Sequence, residues 1–415
     1  MQTILDTANK QLSQPKTDLL GLTLPELQAW LKERGEPTFR AKQIYQWVYK
    51  HLVDDFAAMS NLPQTLRQRL QDEASIGTMV VCNERHSKDG RSRKILLELA
   101  DGKSIESGLM LYPQLVSVPS TGSRKAIDSR SLLTGEVYLP NPYKSSGNAP
   151  GKGSSRATVC VSSQAGCACR CTFCATGQMG FGRHLSTGEI VEQVLQFARR
   201  LRRAPWTAAG LPKSSPIHHI TNLVLMGMGE PLHNYNNVLR ALRILNSSDG
   251  YHLGARHITL STVGLVPGIR KLAQEALQIN LAVSLHATTD ELRSQNMPVN
   301  RRYPLAQLFE AIQEYIAATR RQVTFEYILL AGVNDTVTHA QQLAKLLAPL
   351  HQFAHVNCIP VNATSANYKT PGPDAIRTFR NVLFEHGISN TVRAERGDDI
   401  EAACGQLHAR FEKSK

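Results

Sequence analysis

Ala157-Thr-Val-Cys160-Val-Ser162-Ser-Gln-Ala-Gly-Cys167-Ala-Cys169-Arg-Cys171-Thr-Phe-Cys174 is the stretch from which the rest of the chain can be ordered. Its first six residues have the β-branched, apolar texture of a strand. The small and polar residues that follow carry most of the cysteines, five of the chain's eight falling between positions 160 and 174. Cys167, Cys171 and Cys174 hold the spacing C-x-x-x-C-x-x-C. In a chain of otherwise cytosolic character, such crowding points to a bound metal centre rather than to disulfides. The triad supplies three ligands, with no fourth at a comparable offset. An iron–sulfur cluster ordinarily takes four cysteines, so a three-cysteine site leaves one iron open and suggests reactivity rather than scaffolding.

Working outward from residue 157, strand and helix patterns alternate. Strands are expected over 157–162, 220–226, 257–260, 279–283, 323–329, 356–359 and 390–393. Helices are expected over 186–203, 236–245, 267–275, 304–319, 337–350 and 374–386, the first opened by the capping box Ser186-Thr-Gly-Glu189. Strands joined through helices lie parallel, because each crossover returns the chain to the same end of the sheet. Six such units predict a partial (β/α)6 TIM-like barrel, with a doubly wound open sheet as the alternative. In a barrel the chemistry collects at the C-terminal strand ends. Here those ends carry the cysteine triad, Gly227-Met-Gly229-Glu230-Pro231, Ser261, Ser284-Leu285-His286, Asn362 and the segment from Arg396 to Cys404. Singly these are weak signals, since a serine there is more often a helix cap and a lone histidine more often structural. Their repetition after successive strands is what marks one rim. Glycine lets backbone approach a ligand, Glu230 can accept from an amine, and Ser261, Ser284 and Asn362 suit a ribose or amino-acid moiety.

Before the barrel, residues 1–76 read as a small helical domain. It includes the capping pattern Thr23-Leu-Pro-Glu26, an apolar side formed by Phe39, Ile44, Tyr45 and Val48, and a third helix from Pro63. Either this is a bundle with a solvated basic face or an RNA-docking module. Residues 77–112 form a short β linker region with Asp89-Gly90 as its hairpin turn. Residues 113–156 are rich in Ser, Gly, Pro and basic residues and read as a flexible basic insertion without assigned fold. The barrel occupies 157–415. Net charge is +13 and pI about 9.4, which favours a polyanionic partner, nucleic acid before membrane. No apolar run approaches the roughly 20 residues of a spanning helix, and the N-terminus lacks the pattern of a signal or transit peptide. A cytoplasmic, monomeric protein is expected.

The cysteine triad followed by Gly227-Met-Gly-Glu230-Pro231 resembles the radical S-adenosylmethionine (SAM) enzymes. More narrowly, Cys160-Val-Ser-Ser-Gln-Ala-Gly-Cys167, Cys174-Ala-Thr-Gly-Gln-Met-Gly-Phe181 and Arg396-Gly-Asp-Asp-Ile-Glu-Ala-Ala-Cys404-Gly-Gln-Leu are similar to the RlmN group of RNA adenine-C2 methyltransferases. The resemblance runs from about residue 18 to 407, apart from the insertion. It implies that Cys167, Cys171 and Cys174 hold a 4Fe-4S cluster whose open iron is chelated by SAM. It further implies Gly229, Glu230, Ser261, Ser284, Leu285, His286 and Asn362 as the SAM contacts. Carbon 2 of adenine is electron-poor, so direct polar attack on a sulfonium methyl is not accessible there, and the radical chemistry is lodged in the cofactors. By the same resemblance, Cys404 is methylated by one SAM and a second generates the 5′-deoxyadenosyl radical, two per turnover. That radical takes hydrogen from the S-methyl group, which then adds to the ring. Cys160 acts as base and resolves the protein–RNA adduct through a disulfide with Cys404, and Glu106 aligns with a proton acceptor. The implied substrates are adenine-2503 of 23S rRNA and adenosine-37 of some tRNAs. The implied electron donor is a protein such as flavodoxin or ferredoxin.

Cys169 departs from the family, which has a bulkier apolar residue there, and Glu395 stands where a polar or basic residue is usual. Cys82 and Cys358, in strand-like apolar settings, are expected in the core. Arg199, Arg200, Arg202, Arg203, Arg301, Arg302, Arg320 and Arg321 are candidate phosphate contacts, although the first four also suit the C-terminus of their helix. Two rival functions remain open at this point. One is an adenine-C8 methyltransferase with the same cysteines. The other is a non-catalytic RNA-binding protein with zinc on Cys167, Cys169, Cys171 and Cys174.

Overall fold

The structure, a computed structural model, describes residues 16–112, 156–206, 216–361, 368–393 and Ile400. Asn362, Cys404, Glu395 and the insertion therefore lie outside the described residues. At the N-terminal end, two short strands, β1 (Thr17–Asp18) and β2 (Ala74–Ser75), pair in parallel. Between them run α1 (Leu24–Glu33), α2 (Arg40–Tyr45), which continues as a π-turn over Gln46–Lys50, and α3 (Gln64–Glu73). The Thr23 capping box closes as its spacing predicts, with the Thr23 amide donating to Glu26 Oε2 at 2.8 Å. Ile44, Tyr45 and Val48 are buried, but Phe39 is 57% exposed. It stands at the start of α2, where the chain still faces solvent, with the Arg40 guanidinium over its ring.

Three antiparallel strands follow, β3 (Val80–His86), β4 (Ser92–Glu98) and β5 (Ser104–Tyr112). β5 then pairs with β6 (Arg156–Cys160), the first barrel strand. The segment expected as a linker is thus hydrogen-bonded into the barrel's own sheet. Cys82 corrects another expectation: it is exposed, at a register irregularity of the edge strand β3, while Cys358 is buried.

After β6 come a short hairpin, β7 (Gln164–Gly166) and β8 (Phe181–His184), and the one-turn helix α4 (Ala175–Gln178) inside it. The repeating units are α5 (Thr187–Arg203), β9 (Asn222–Leu225), α6 (Tyr235–Asn246), β10 (Ile258–Thr262), α7 (Val266–Leu272), β11 (Asn280–Ser284), α8 (Asp290–Asn296), α9 (Leu305–Thr319), β12 (Val323–Leu329), α10 (Val337–Leu347), β13 (Ala354–Pro360), α11 (Pro373–Glu385) and β14 (Ser389–Val392). The ten-stranded sheet runs β14-β13-β12-β11-β10-β9-β6-β5-β4-β3, parallel from β14 to β6. Six crossovers over seven parallel strands make the expected partial barrel. Its strands read as apolar runs because helices cover the outer face.

α5 is buried nearly all round, since the N-terminal helices cover its outer side. The four arginines near its end act within the chain. Arg199 donates to the carbonyls of Leu52 and Val53 at 3.3 and 3.2 Å, and Arg202 to that of Lys50 at 2.7 Å. Arg200 pairs with Glu84, and Arg203 with Asp54 at 2.9 Å. Arg199, Arg202 and Arg203 clamp the helical domain to the barrel, and Arg200 ties α5 to β3. Arg320 and Arg321 follow α9 at the end opposite the catalytic rim, whereas Arg301 and Arg302 precede it on the rim side and are exposed. Among the described residues no helix is long and apolar enough to cross a membrane.

Candidate active site

The loop that carries the triad is closed at its neck by the β7–β8 hairpin. Gly166 sits at φ 79°, in the left-handed region, and a Cβ there would strike the Gly180 carbonyl. That carbonyl accepts from the Cys167 amide at 2.7 Å. Beyond the neck, Cys167, Cys169 and Cys171 pack together with Met297, against Phe173 and the half-buried Cys174. Burial pushes the Cys171 thiol well above the ordinary range, and the Cys174 and Cys167 thiolates push it further. Burial likewise raises Cys174. Cys167 is lowered instead, because the Cys169 side chain and amide donate to its sulfur. The extra cysteine thus donates a hydrogen bond to Cys167.

Three mutually repelling thiols in an apolar nest ionise together only when a cation is supplied. One buried donor beside the loop, Asn296 Nδ2, has no partner among the described residues, and the Thr176 side chain donates to Cys174. Both observations suit an anionic sulfur-rich group. Among the described residues no three His, Cys, Asp or Glu side chains group as ligands of a single ion.

Facing the loop, the β9 end turns through Gly227-Met-Gly229-Glu230. Gly229 lies at φ 101°, and a Cβ there would come within 2.6 Å of Gln164 Cβ. Gln164 anchors this turn from the hairpin, its Oε1 accepting from the Glu230 amide at 2.8 Å. The Glu230 carboxylate is 2% exposed, with Oε1 accepting from the Leu232 amide at 2.9 Å and Oε2 from the Val263 amide at 2.8 Å. Burial outweighs these bonds and lifts its pKa to about 7. It therefore links the β9 and β10 loops as well as facing the site.

At the β11 end, Leu285 is buried and Ser284 and Ser261 are partly exposed. His286 has φ 58° and is buried; its Nδ1 accepts from the Ile328 amide at 3.0 Å, so the ring proton is on Nε2. Burial takes its pKa down to about 3, and its ring meets Phe173 edge-on at 4.9 Å. The histidine is neutral and held between the cysteine loop and β12. Ser284, Glu326, Asn357 and Thr391 stand in one register row across four strands. Asn357 donates to Glu326 Oε2 at 2.8 Å and Thr391 to Asn357 at 3.3 Å. Sequence reading missed Glu326 and Asn357, which lie mid-strand in apolar runs.

On the other side of the loop, Lys94, Gly108 and Cys160 are in register across β4, β5 and β6. Glycine in the middle position leaves no side chain between the outer two. The Lys94 ammonium pairs with Glu106 Oε2 at 2.7 Å, both side chains being at most 6% exposed. Glu106 is thus a buried, paired acid rather than the solvated strand residue that an isolated Glu suggests. Burial raises the Cys160 thiol pKa, against the pull of Arg393 and Lys94. Ser162 Oγ donates to the Glu106 carbonyl at 2.7 Å and accepts from the Met228 amide at 2.9 Å, joining this side to the glycine turn.

Comparison with known proteins agrees with this geometry. The family model for the ribosomal RNA large subunit methyltransferase N-terminal domain matches residues 17–76, and that of the radical SAM superfamily matches 215–344. The probable dual-specificity RNA methyltransferase RlmN of Geobacillus thermodenitrificans (strain NG80-2) is 42% identical, over 97% of this chain and 95% of that protein. Its counterpart in Bacillus thuringiensis subsp. konkukian (strain 97-27) is 40% identical over 100% and 99%. The crystal structure of a radical SAM methyltransferase from Sphaerobacter thermophilus superposes with a TM-score of 0.79 at 42% identity, covering 94% of this chain and 98% of that one. The chain belongs to the RlmN family of radical SAM RNA methyltransferases.

Proposed function

We propose that this enzyme methylates carbon 2 of the peptidyl-transferase adenosine in 23S rRNA, and of the adenosine 3′ to the anticodon in some tRNAs. Cys167, Cys171 and Cys174 hold the 4Fe-4S cluster. Gly229, Glu230, Ser261, Ser284, Leu285, His286 and Asn362 bind SAM, two molecules being used per turnover. Together, and with an electron from a flavodoxin- or ferredoxin-like donor, the two cofactors supply a carbon-centred radical in a dry site. The protein acts in the cytoplasm as a monomer.

The chain's own residues carry the methyl group and release it. The Cys404 sulfur takes a methyl from the SAM sulfonium, whose carbon–sulfur bond breaks. With the cofactors bound, one hydrogen of that methyl would pass to the SAM-derived radical. Once the carbon has bonded to the adenine ring, the ring radical would return one electron to the cluster as Cys160 removes the ring proton. Cys160, its proton passed on, then attacks the Cys404 sulfur as thiolate. The sulfur–methylene bond breaks, its electron pair goes to the methylene carbon, and a proton completes the product methyl. The Cys160–Cys404 disulfide is then reduced before the next turnover. Glu106, paired with Lys94 at 2.7 Å, accepts the proton that Cys160 passes on.

The observation that supports this reading best is the placing of Cys160 in register with Lys94 across Gly108, beside Glu106 and directly ahead of the triad loop. A Cys160→Ala variant is expected to accumulate a long-lived covalent protein–RNA species on denaturing gels. Methylated RNA released at the normal rate would sink the assigned role. Mass analysis of the product nucleoside tests the position, since 8-methyladenosine alone would mean the carbon-8 reaction.

A further inference from the structure

Arg293 has no place in the reading so far, yet it is the largest fully buried side chain among the described residues, at 0% exposure. It lies on α8, in Asp290-Glu-Leu-Arg-Ser-Gln-Asn296, a sequence with the look of a solvated helix. Its guanidinium donates to the carbonyls of Val263 at 2.7 Å, Leu285 at 3.2 Å and Ser284 at 3.3 Å, and to Asn300 Oδ1 at 2.8 Å. All four acceptors are neutral. Among the described residues no carboxylate is within ion-pairing distance of it. The nearest acid, Asp290, spends its Oδ1 on the Asn300 amide nitrogen at 2.9 Å and the Leu305 amide at 2.8 Å.

A buried cation without an anion is costly, by several kcal/mol even after relaxation. Such an arrangement persists when the countercharge comes from elsewhere. The surroundings of α8 show where. One turn after Arg293, Met297 packs on Cys167, Cys169 and Cys171, and the Asn296 carbonyl accepts from the Thr172 amide at 3.0 Å. α8 is therefore docked on the cysteine loop. Among ionisable neighbours, the Cys171 thiolate exerts the strongest attraction on the guanidinium, whose pKa burial lowers to about 10.

We propose that Arg293 is the fixed counter-charge of the iron–sulfur cluster and, through the carbonyls it holds, the positioning residue that sets the β10 and β11 loops around it. This rests on the reading that Cys167, Cys171 and Cys174 hold the cluster. Reduction adds a negative charge to the cluster, so a cation docked beside the cysteine loop favours the reduced form. The same fork ties the Ser284-Leu285 backbone, a proposed SAM contact, to the cluster's charge state.

The test compares the full-length parent, Arg293→Lys and Arg293→Gln after anaerobic reconstitution. It uses iron and sulfide analysis, a potentiometric titration followed by electron paramagnetic resonance, and thermal midpoints with and without cluster. Arg293→Gln is expected to reduce the ratio of reduced to oxidised cluster at fixed potential about tenfold, a 59 mV downward shift for one electron. Arg293→Lys keeps the charge and stays near the parent. Loading with cluster stabilises the parent more than the Gln variant, because only the parent has a buried cation to neutralise. A Gln variant that titrates with the parent, or a Lys variant that falls as far as Gln, overturns the proposal. If the Gln protein does not fold, Asp290→Asn replaces it. Removing that acid raises the reduced fraction severalfold, and an unchanged titration overturns the proposal equally. A parent that binds no iron and sulfide would instead overturn the cluster reading itself.

Discussion

Two buried glutamates flank the cysteine loop, and they are held in opposite ways. Glu230, on the glycine-turn side, is gripped by backbone amides of Leu232 and Val263. Glu106, on the side of Cys160, is paired with the Lys94 ammonium. Amides are fixed in place by the fold and carry no net charge, and burial outweighs their hydrogen bonds to lift the Glu230 pKa to about 7. A lysine brings a full charge at the cost of a flexible stem. The first arrangement suits an acid that binds and links loops, the second an acid that exchanges protons with a neighbouring thiol.

The largest expected effect separates the two sides outright. Cys171→Ala is predicted to abolish cluster incorporation and methylation, while the sheet that carries Cys160 stays intact. Iron and sulfide content beside the far-ultraviolet circular dichroism spectrum checks this. Next in size, Lys94→Met removes the ammonium that pairs with the buried Glu106 carboxylate, at a cost of about 3–5 kcal/mol. The double variant Lys94→Met, Glu106→Leu should recover most of that stability in urea unfolding but not turnover. Recovery of turnover would show the pair to be structural only. Gly229→Ala comes third: a methyl group on left-handed backbone against Gln164 should cost about 1–3 kcal/mol. SAM affinity by equilibrium dialysis should fall with cluster content unchanged.

The smallest effect is in the pH dependence of the apoprotein. Glu230 is raised to about 7 from an ordinary 4.5. Folded protein therefore holds a proton that unfolded chain releases between those values. Its stabilising contribution is complete below pH 4.5 and is lost as pH rises through 7, with a slope of at most about 1.4 kcal/mol per pH unit. His286, lowered to about 3, acts with the opposite sign, its contribution being lost as pH falls below its ordinary 6.5. A Glu230→Gln variant should flatten the first dependence only. If thermal midpoints of parent and variant run parallel from pH 5 to 8, the acid is not protonated as described.

What could be read in the sequence follows the same division. The triad spacing, both capping boxes and the barrel strands are local patterns, and each was legible because neighbouring residues satisfy one another. Phe39 and Cys82 were misplaced because a short apolar pattern does not tell a helix start or a sheet edge from its centre. Glu106 was read as a strand residue facing solvent; it is buried because Lys94 and Ser162 reach it from other strands, a pairing no local pattern shows. Arg293 was hidden for a related reason. Nothing within Glu291-Leu-Arg293-Ser says that α8 will be enclosed by three rim loops. The clamp made by Arg199, Arg202 and Arg203, and the Arg200 tie to β3, depend equally on partners 116 to 152 positions away.

That clamp gives α5 a consequence of its own. The helix spans 17 residues, about 25 Å at 1.5 Å per residue. Its first turn follows directly from the hairpin that closes the cysteine loop, and its last turn is locked to residues 50–54 of the N-terminal domain. The helix is thus a measuring rod with one end at the reaction and the other at the domain. An RNA whose far part rests on that domain arrives with its reactive base at a set distance, so substrate choice becomes a matter of length as well as of sequence.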